Sequence, residues 1–130
     1  MQSRILLVII LALATLLGCR TSPVYNVVDA PVVVATTGKK YSQDDVKTAI
    51  IRAGAQLGWQ MREISPGHLV GTLNLREHMA EVDIKYTVKS YSITYRNSAE
   101  LDYDGTDIHS NYNSWVQNLD NAIRAQISTI

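Results

Sequence analysis

Two stretches near the middle of the chain alternate apolar and polar residues, and they constrain the fold more than any other feature. In "AEVDIKYTV", residues 80–88, every second side chain is apolar, and "YSITYR", residues 91–96, repeats the pattern. A period of two places the apolar side chains of a strand on one face and the polar side chains on the other. Such strands are typical of an antiparallel sheet with one packed face and one solvated face.

Short turns flanking these stretches indicate how the strands connect. Two-residue turns are predicted at 77–78 and 89–90. The first turn would place Leu75 opposite Ala80, and the second would place Val88 opposite Tyr91. Both registers keep the apolar sets on one face, which favours an antiparallel meander.

Two more strands are predicted upstream, "WQMREI" and "LVGTLNLR", with the turn "SPGH" between them. Proline and glycine stand there at the positions that a type II turn requires. Pairing Ile64 with Leu69 would leave Trp59 and Met61 facing outward. We therefore expect a bulge or a longer loop in the first of these strands.

One helix is predicted on each side of the strands. Ser42 and Asp45 have the spacing of a capping box, and Gly58 stands where a helix C′ residue is expected. Gly54 falls inside this helix, and close packing on the sheet is the expected reason. The second helix runs from about Tyr112 to Ser128. Its apolar residues recur at helical spacing: Val116, Leu119, Ile123 and Ile127.

These elements predict an α+β two-layer sandwich, in which a four-stranded antiparallel meander lies between a preceding helix and a following helix (α-β-β-β-β-α). Both helices are expected on one face of the sheet. The globular domain is assigned to residues 41–130, and the chain contains no phenylalanine, so tyrosines and aliphatic residues must form its core.

Residues 1–18 are predicted to be a signal peptide. Thirteen positions, Ile5 to Leu17, are almost entirely apolar and follow Arg4. As a helix this run would extend about 20 Å at ~1.5 Å per residue, short of the roughly 30 Å that a bilayer core requires. A short apolar core behind a positive residue is typical of a secretion signal.

The end of this run, Leu16-Leu17-Gly18-Cys19, resembles a bacterial lipobox, and the chain is similar to the small lipoproteins of Gram-negative bacteria. The resemblance implies lipidation of Cys19, with a diacylglyceryl group on its thiol, palmitate-type acylation and cleavage before it. An aspartate in place of Arg20 would favour retention in the inner membrane. The resemblance therefore implies an outer-membrane lipoprotein whose domain faces the periplasm.

Residues 19–40 are interpreted as the lipidated N-terminus and a tether. A tether of about 20 residues would extend up to ~65 Å at ~3.3 Å per residue. The segments "VYNVV" and "PVVVAT" have strong β propensity. Whether part of the tether adds a short strand to the domain is left open.

The acidic stretch that contains Glu100, Asp102 and Asp104 resembles the start of a calcium loop. It departs from the EF-hand pattern because Tyr112 stands where the bidentate glutamate belongs. These three residues are thus weak metal candidates, and a solvated strand edge followed by an Asp-Gly turn is the favoured interpretation. No metal site, no cofactor beyond the covalent lipid and no catalytic residue are predicted.

Aromatic and amide residues cluster around the start of the second helix. The favoured interpretation is that they close one end of the core and cap this helix. The alternative is a binding patch for a peptide or glycan. The candidate residues are Tyr103, His109, Asn111, Tyr112, Asn113 and Trp115.

The sequence therefore predicts a lipid-anchored envelope protein that is not an enzyme and serves as a binding or accessory module of the periplasm. Two alternatives stay open: a structural or assembly accessory of the outer membrane without a discrete ligand, and a small periplasmic enzyme. The expected partners are the membrane, through the anchor, and an envelope protein or glycan. Balanced charge, with 12 Lys and Arg against 12 Asp and Glu, argues against nucleic acid.

Overall fold

The computed structural model describes residues 20–130, so the predicted signal peptide and Cys19 lie outside the described residues. Within this range, no helix is both long and apolar enough to cross a bilayer. Seven strands and two helices are described, in the order β1 (Thr21–Pro23), β2 (Val27–Pro31), α1 (Gln43–Gln56), β3 (Gln60–Ser65), β4 (His68–Leu75), β5 (His78–Tyr86), β6 (Ser90–Ala99), β7 (Asp107–His109) and α2 (Ser110–Ser128).

The predicted four-stranded meander, with one helix before it and one after it, is wrong. The main sheet has five antiparallel strands in the order β2-β6-β5-β4-β3, and β1 pairs with β7 in a separate two-stranded ribbon. Two of the three additional strands, β1 and β2, come from the segment interpreted as a tether, for which a short strand was left open, and β7 comes from the segment just before α2. "VVDAP" gave no period of two, and its partner β6 lies far along the chain, so local patterning could not reveal the pairing.

Strand β2 covers the edge of β6 with an irregular register. Val27 lies opposite Ile93 and Ala30 opposite Tyr91, so β2 carries one residue more than β6 between these pairs. Asp29 lies in this bulge with a φ of 51°, and its backbone N–H donates to Ser92 Oγ at 2.9 Å. The bulge keeps both Val27 and Ala30 in the core despite the extra residue.

Helix α1 begins and ends as predicted. Asp45 N–H donates to Ser42 Oγ at 3.2 Å, and Ser42 N–H donates to Asp45 Oδ2 at 2.8 Å, which completes the capping box. Gly58 follows the helix with a φ of 85°, in the left-handed region that glycine adopts without strain.

The inner glycine of α1 also has the predicted reason. A Cβ atom on Gly54 would lie 3.2 Å from Met61 Cγ and 3.3 Å from Trp59 Cβ. Trp59 lies just before β3 and Met61 lies within it. The absence of a side chain on Gly54 therefore lets the helix approach the sheet closely.

The two predicted hairpin registers are wrong by two residues. Leu75 lies opposite His78 rather than Ala80, and Tyr91 lies opposite Tyr86 rather than Val88. A shift of two residues leaves every side chain on its predicted face. The alternating sets of β5 and β6 therefore still reach the core.

The irregularity expected in the first strand of the meander is confirmed. The register of β3 against β4 shifts between Glu63 and Ser65, which leaves Ile64 exposed. Trp59 is buried and Met61 packs against the core, so the bulge turns both inward.

Both helices and the inner face of the sheet share one hydrophobic core, and a buried polar contact joins α2 to β6. The Tyr91 hydroxyl donates to Asp120, and Arg124 Nε donates to both Asp120 carboxylate oxygens at 3.2 Å. Burial, together with the neighbouring carboxylate, raises the pKa of Tyr91. The contact thus links the start of β6 to the middle of α2.

Candidate functional site

The six residues predicted around the start of α2 do not form one surface patch. His109 caps α2, because its Nδ1 accepts from Asn111 N–H at 3.1 Å. Asn113 binds the N-terminal segment instead of a ligand. Its Oδ1 accepts from Tyr25 N–H at 2.9 Å, and its Nδ2 donates to Ser22 Oγ and Pro23 O at 3.0 Å each.

The other members of the predicted patch are also separated. Tyr112 is 0% exposed, and burial raises its pKa; its hydroxyl has no hydrogen-bond partner among residues 20–130. Trp115 is half-buried beside His78, with ring centroids 6.5 Å apart. Asn111 is exposed at the start of α2. Tyr103 alone of the six lines the cleft that we regard as the candidate site.

This tyrosine cleft lies where β6 ends and the following loop begins. The Tyr103 ring stacks on Tyr95 with centroids 4.0 Å apart and an interplanar angle of 29°, and Tyr103 is 40% exposed. One face of the pair is thus packed, while the outer ring remains available to solvent. The cleft is open to solvent, has a volume of about 540 Å³ and is lined by Tyr95, Arg96, Asn97, Ser98, Glu100, Leu101, Asp102 and Tyr103.

The loop that forms one wall of the tyrosine cleft is held at several points. Leu101 is buried in the core, and its carbonyl accepts from His109 N–H at 2.8 Å. His78 Nδ1 donates to the Glu100 carbonyl at 2.7 Å. Glu100 and Asp102 have φ values of 58° and 54°, an unfavourable region for residues other than glycine. These anchors offset that strain and fix the loop conformation.

The acidic residues considered as metal candidates have separate roles. Asp104 Oδ1 accepts from Thr106 N–H at 2.9 Å and from Asp107 N–H at 2.7 Å, which closes a tight turn. These backbone bonds hold the pKa of Asp104 below its usual value. Glu100 and Asp102 line the tyrosine cleft instead. In the part of the chain that the structure describes, no three His, Cys, Asp or Glu side chains are grouped to hold a metal ion.

Arg96 forms the polar wall of the tyrosine cleft, and its charge is largely compensated. Its Nη1 donates to Asp83 Oδ1 at 2.8 Å and its Nε donates to Glu81 Oε1 at 3.2 Å. The contact with Asp83 raises the pKa of Arg96. With Arg96 paired to β5, Glu100 and Asp102 leave the cleft net acidic. The cleft therefore suits a neutral, hydroxyl-rich ligand better than an anion.

Asp83 connects this wall to the next strand, because His68 Nε2 lies 2.7 Å from the same Oδ1 atom. Partial burial alone would raise the pKa of Asp83, but the hydrogen bonds from His68 and Arg96 outweigh it. The pKa of Asp83 is therefore lowered from its usual value of 3.8. This network fixes Arg96 from the solvated face of the sheet.

Tyr95, Arg96 and Asn97 line the cleft but were not predicted as site residues. Val82 lies opposite Tyr95, whereas Glu81 lies opposite Asn97, so Arg96 is the extra residue of a bulge. The alternation of "YSITYR" assigned Tyr95 to the packed face and gave no sign of the bulge. The side chains meet only because the strand bends there.

A second open cleft, of about 600 Å³, lies near the ends of β5 and β6. Its aromatic residue is Tyr86, which is only 4% exposed and therefore offers little ring surface. Gln43 and Ser92 in its lining already bond Tyr86 O and Asp29. The tyrosine cleft is the better candidate because it combines an exposed ring with polar groups.

Searches against profiles of protein families, curated proteins and solved structures found no match to this chain.

Proposed function

We propose that the chain is a non-enzymatic, lipid-anchored envelope protein whose domain binds a glycan in the tyrosine cleft. The observation that carries the proposal is the stacked pair of Tyr95 and Tyr103, which exposes one ring inside a cleft with polar walls. A pyranose ring presents a flat face of C–H groups that packs on an aromatic ring. Its hydroxyl groups bond the amide and carboxylate groups beside that ring.

The arrangement of the cleft supports binding rather than catalysis. Arg96 is held by Asp83 and Glu81, and the loop that carries Glu100 and Asp102 is anchored through Leu101. A rigid aromatic surface with fixed polar groups loses little conformational entropy when a ligand binds.

Removal of the outer ring tests the proposal. In the full mature protein, kept in detergent, Tyr103→Ala should weaken binding of soluble cell-wall oligosaccharides by about two- to thirteenfold, since an aromatic contact contributes ~0.5–1.5 kcal/mol. Tyr25→Ala is the matched control, because Tyr25 is 37% exposed and lies outside the cleft. Calorimetry of both variants measures the effect. Equal affinities for Tyr103→Ala and the wild type would refute the glycan site, and capture of an envelope protein alone would favour a protein ligand.

The anchor is proposed from the lipobox resemblance. Cys19→Ser should block maturation and leave an uncleaved precursor, and a fatty-acid analogue should label the wild type alone. Outer-membrane fractionation with release by detergent, and not by high salt, is expected because acyl chains dominate attachment. Arg20→Asp should shift the protein toward the inner membrane. Labelling of the serine variant, or release of the wild type by salt, would contradict the anchor.

A further inference from the structure

The chain enters the fold immediately after Cys19. The Arg20 carbonyl accepts from Ser110 N–H at 2.9 Å, and Thr21 lies opposite His109 in the β1–β7 ribbon. Consecutive Cα atoms are ~3.8 Å apart, so one peptide bond separates Cys19 from a residue fixed to the start of α2. No free segment of chain lies between Cys19 and the domain.

The following part of the segment interpreted as a tether, residues 24–32, is bound to the domain as well. Val24 N–H donates to Thr106 O at 3.0 Å, and Val32 N–H donates to Lys89 O at 2.9 Å. Between them β2 pairs with β6. These contacts remove the ~65 Å reach that an extended tether would give.

We propose that the lipidated domain rests directly on the bilayer, with the start of α2 and the β1–β7 ribbon facing the lipid headgroups. The inference rests on the proposed lipidation of Cys19. The partner is a lipid surface, because the lipidated residue directly precedes the first residue that is bound to the fold. The acyl chains hold the thiol of Cys19 at the membrane interface, and the short connection then brings Arg20 and Ser110 to the headgroup layer.

The side chains at this face agree with an orientation set by the anchor. Arg20 is exposed and positively charged, Asp107 of β7 is acidic and half-buried, and Thr21, Asn111 and Ser114 are exposed and neutral. Such a face can lie against zwitterionic headgroups, but its own charge attracts them only weakly.

The same geometry places the tyrosine cleft close to the membrane. Val24, which bonds Thr106 of the cleft loop, follows Arg20 by four extended residues, a distance of about 13 Å at ~3.3 Å per residue. Thr106 therefore lies within roughly 20 Å of the Cα atom of Cys19, and Leu101 of the cleft bonds His109, the residue before Ser110. A ligand of the cleft must be reachable at the membrane surface and not deep in the compartment.

Spin labels at the two ends of α2 test the orientation. Asn111 and Ala125 are both exposed and are separated by about 21 Å along the helix at ~1.5 Å per residue. With the thiol of Cys19 lipidated, Asn111→Cys and Ala125→Cys each supply one reactive thiol for a nitroxide. In phosphatidylcholine vesicles that contain a gadolinium-chelating lipid, relaxation should be enhanced at least fivefold more at position 111 than at position 125.

A ten-residue Gly-Ser insertion between Arg20 and Thr21 is the control. It keeps Arg20 next to Cys19 and supplies a backbone carbonyl before Thr21, but it adds a flexible span of about 17 Å at ~5–6 Å × √n. The ratio between the two labels should then fall toward one.

Each outcome separates the two proposals. Equal enhancement at both positions of the lipidated wild type, or a ratio that survives the insertion, would overturn the orientation and leave the lipoprotein assignment standing. Absence of a lipid mass increment on Cys19 by mass spectrometry would overturn both.

Discussion

The meander β3–β6 and the N-terminal segment, residues 20–35, reach the same core by different routes. Strands of the meander pair with their neighbours in sequence through short turns. The N-terminal segment pairs with strands near the other end of the chain, and side chains fix its position: Asn113 binds β1, and Asn26 Oδ1 accepts from Tyr95 N–H at 3.1 Å. Local pairing costs little loop entropy, whereas distant pairing requires such added contacts.

The largest loss of stability is expected in the hydrophobic core that the meander and the N-terminal segment share. Leu119 is fully buried in the cluster that contains Val27 of β2 and Ile84 of β5. Leu119→Ala should lower the free energy of unfolding by roughly 2–5 kcal/mol because it leaves a cavity in this core. Urea melts measure the loss. The exposed Gln117→Ala is the control, and a loss no greater than that of this control would contradict the shared core.

A smaller effect is expected at β6, the strand of the meander that pairs with the N-terminal segment. Tyr91→Phe removes the hydroxyl that donates to buried Asp120. The loss should be about 1.5–3 kcal/mol, the usual range for a hydrogen bond to a charged group. Tyr103→Phe is the control, because that hydroxyl reaches Gly105 O only at 3.4 Å. Equal melting of the two variants would show that Arg124 alone satisfies Asp120.

A variant that weakens only the attachment of the N-terminal segment tests whether the two regions unfold separately. Asn113→Ala removes three hydrogen bonds to residues 22–25 and should cost about 1–2 kcal/mol locally. Hydrogen exchange should accelerate in β1 while β5 stays protected. Equal acceleration in both strands would mean that the segment and the meander unfold as one unit. The exposed Asn118→Ala should change neither.

The smallest effect is on the loss of stability in acid, and it arises in the meander alone. The pKa of Asp83 is lowered in the fold, so its carboxylate stabilises the protein above the usual pKa and loses this contribution as pH falls through the folded value. Asp83→Asn should therefore reduce the difference between urea midpoints measured at pH 7 and pH 3. Exposed Asp102→Asn is the control. An unchanged pH dependence in Asp83→Asn would exclude this carboxylate as a source of acid sensitivity.

Features set by local chemistry were readable from the sequence. The capping box of Ser42 and Asp45, the terminating Gly58 and the bulge of β3 each depend on residues a few positions apart. The hairpin registers were wrong because the alternating pattern fixes the face of each residue and not its partner. A shift of two leaves that pattern satisfied.

The fifth strand and the candidate site were not readable for a different reason. β2 has no alternation of its own, and its pairing is decided by the open edge of β6 and by contacts such as that of Asp29 with Ser92. Tyr103 stood out as an aromatic residue, but its stacking partner Tyr95 reads as an ordinary core position. Their meeting depends on the bulge at Arg96, which only the folded sheet defines.

The order of synthesis gives the irregular strand β2 a second role. Val27 is made 66 residues before its partner Ile93, a wait of roughly 3–13 s at ~5–20 residues per second. During this time β2 is a short segment with an unpaired backbone edge, and strands of different chains can pair through such edges. Pro31 lacks a backbone N–H, and the left-handed Asp29 interrupts the ladder. The bulge that fits β2 to its own sheet therefore also makes β2 a poor pairing partner for strands of other chains.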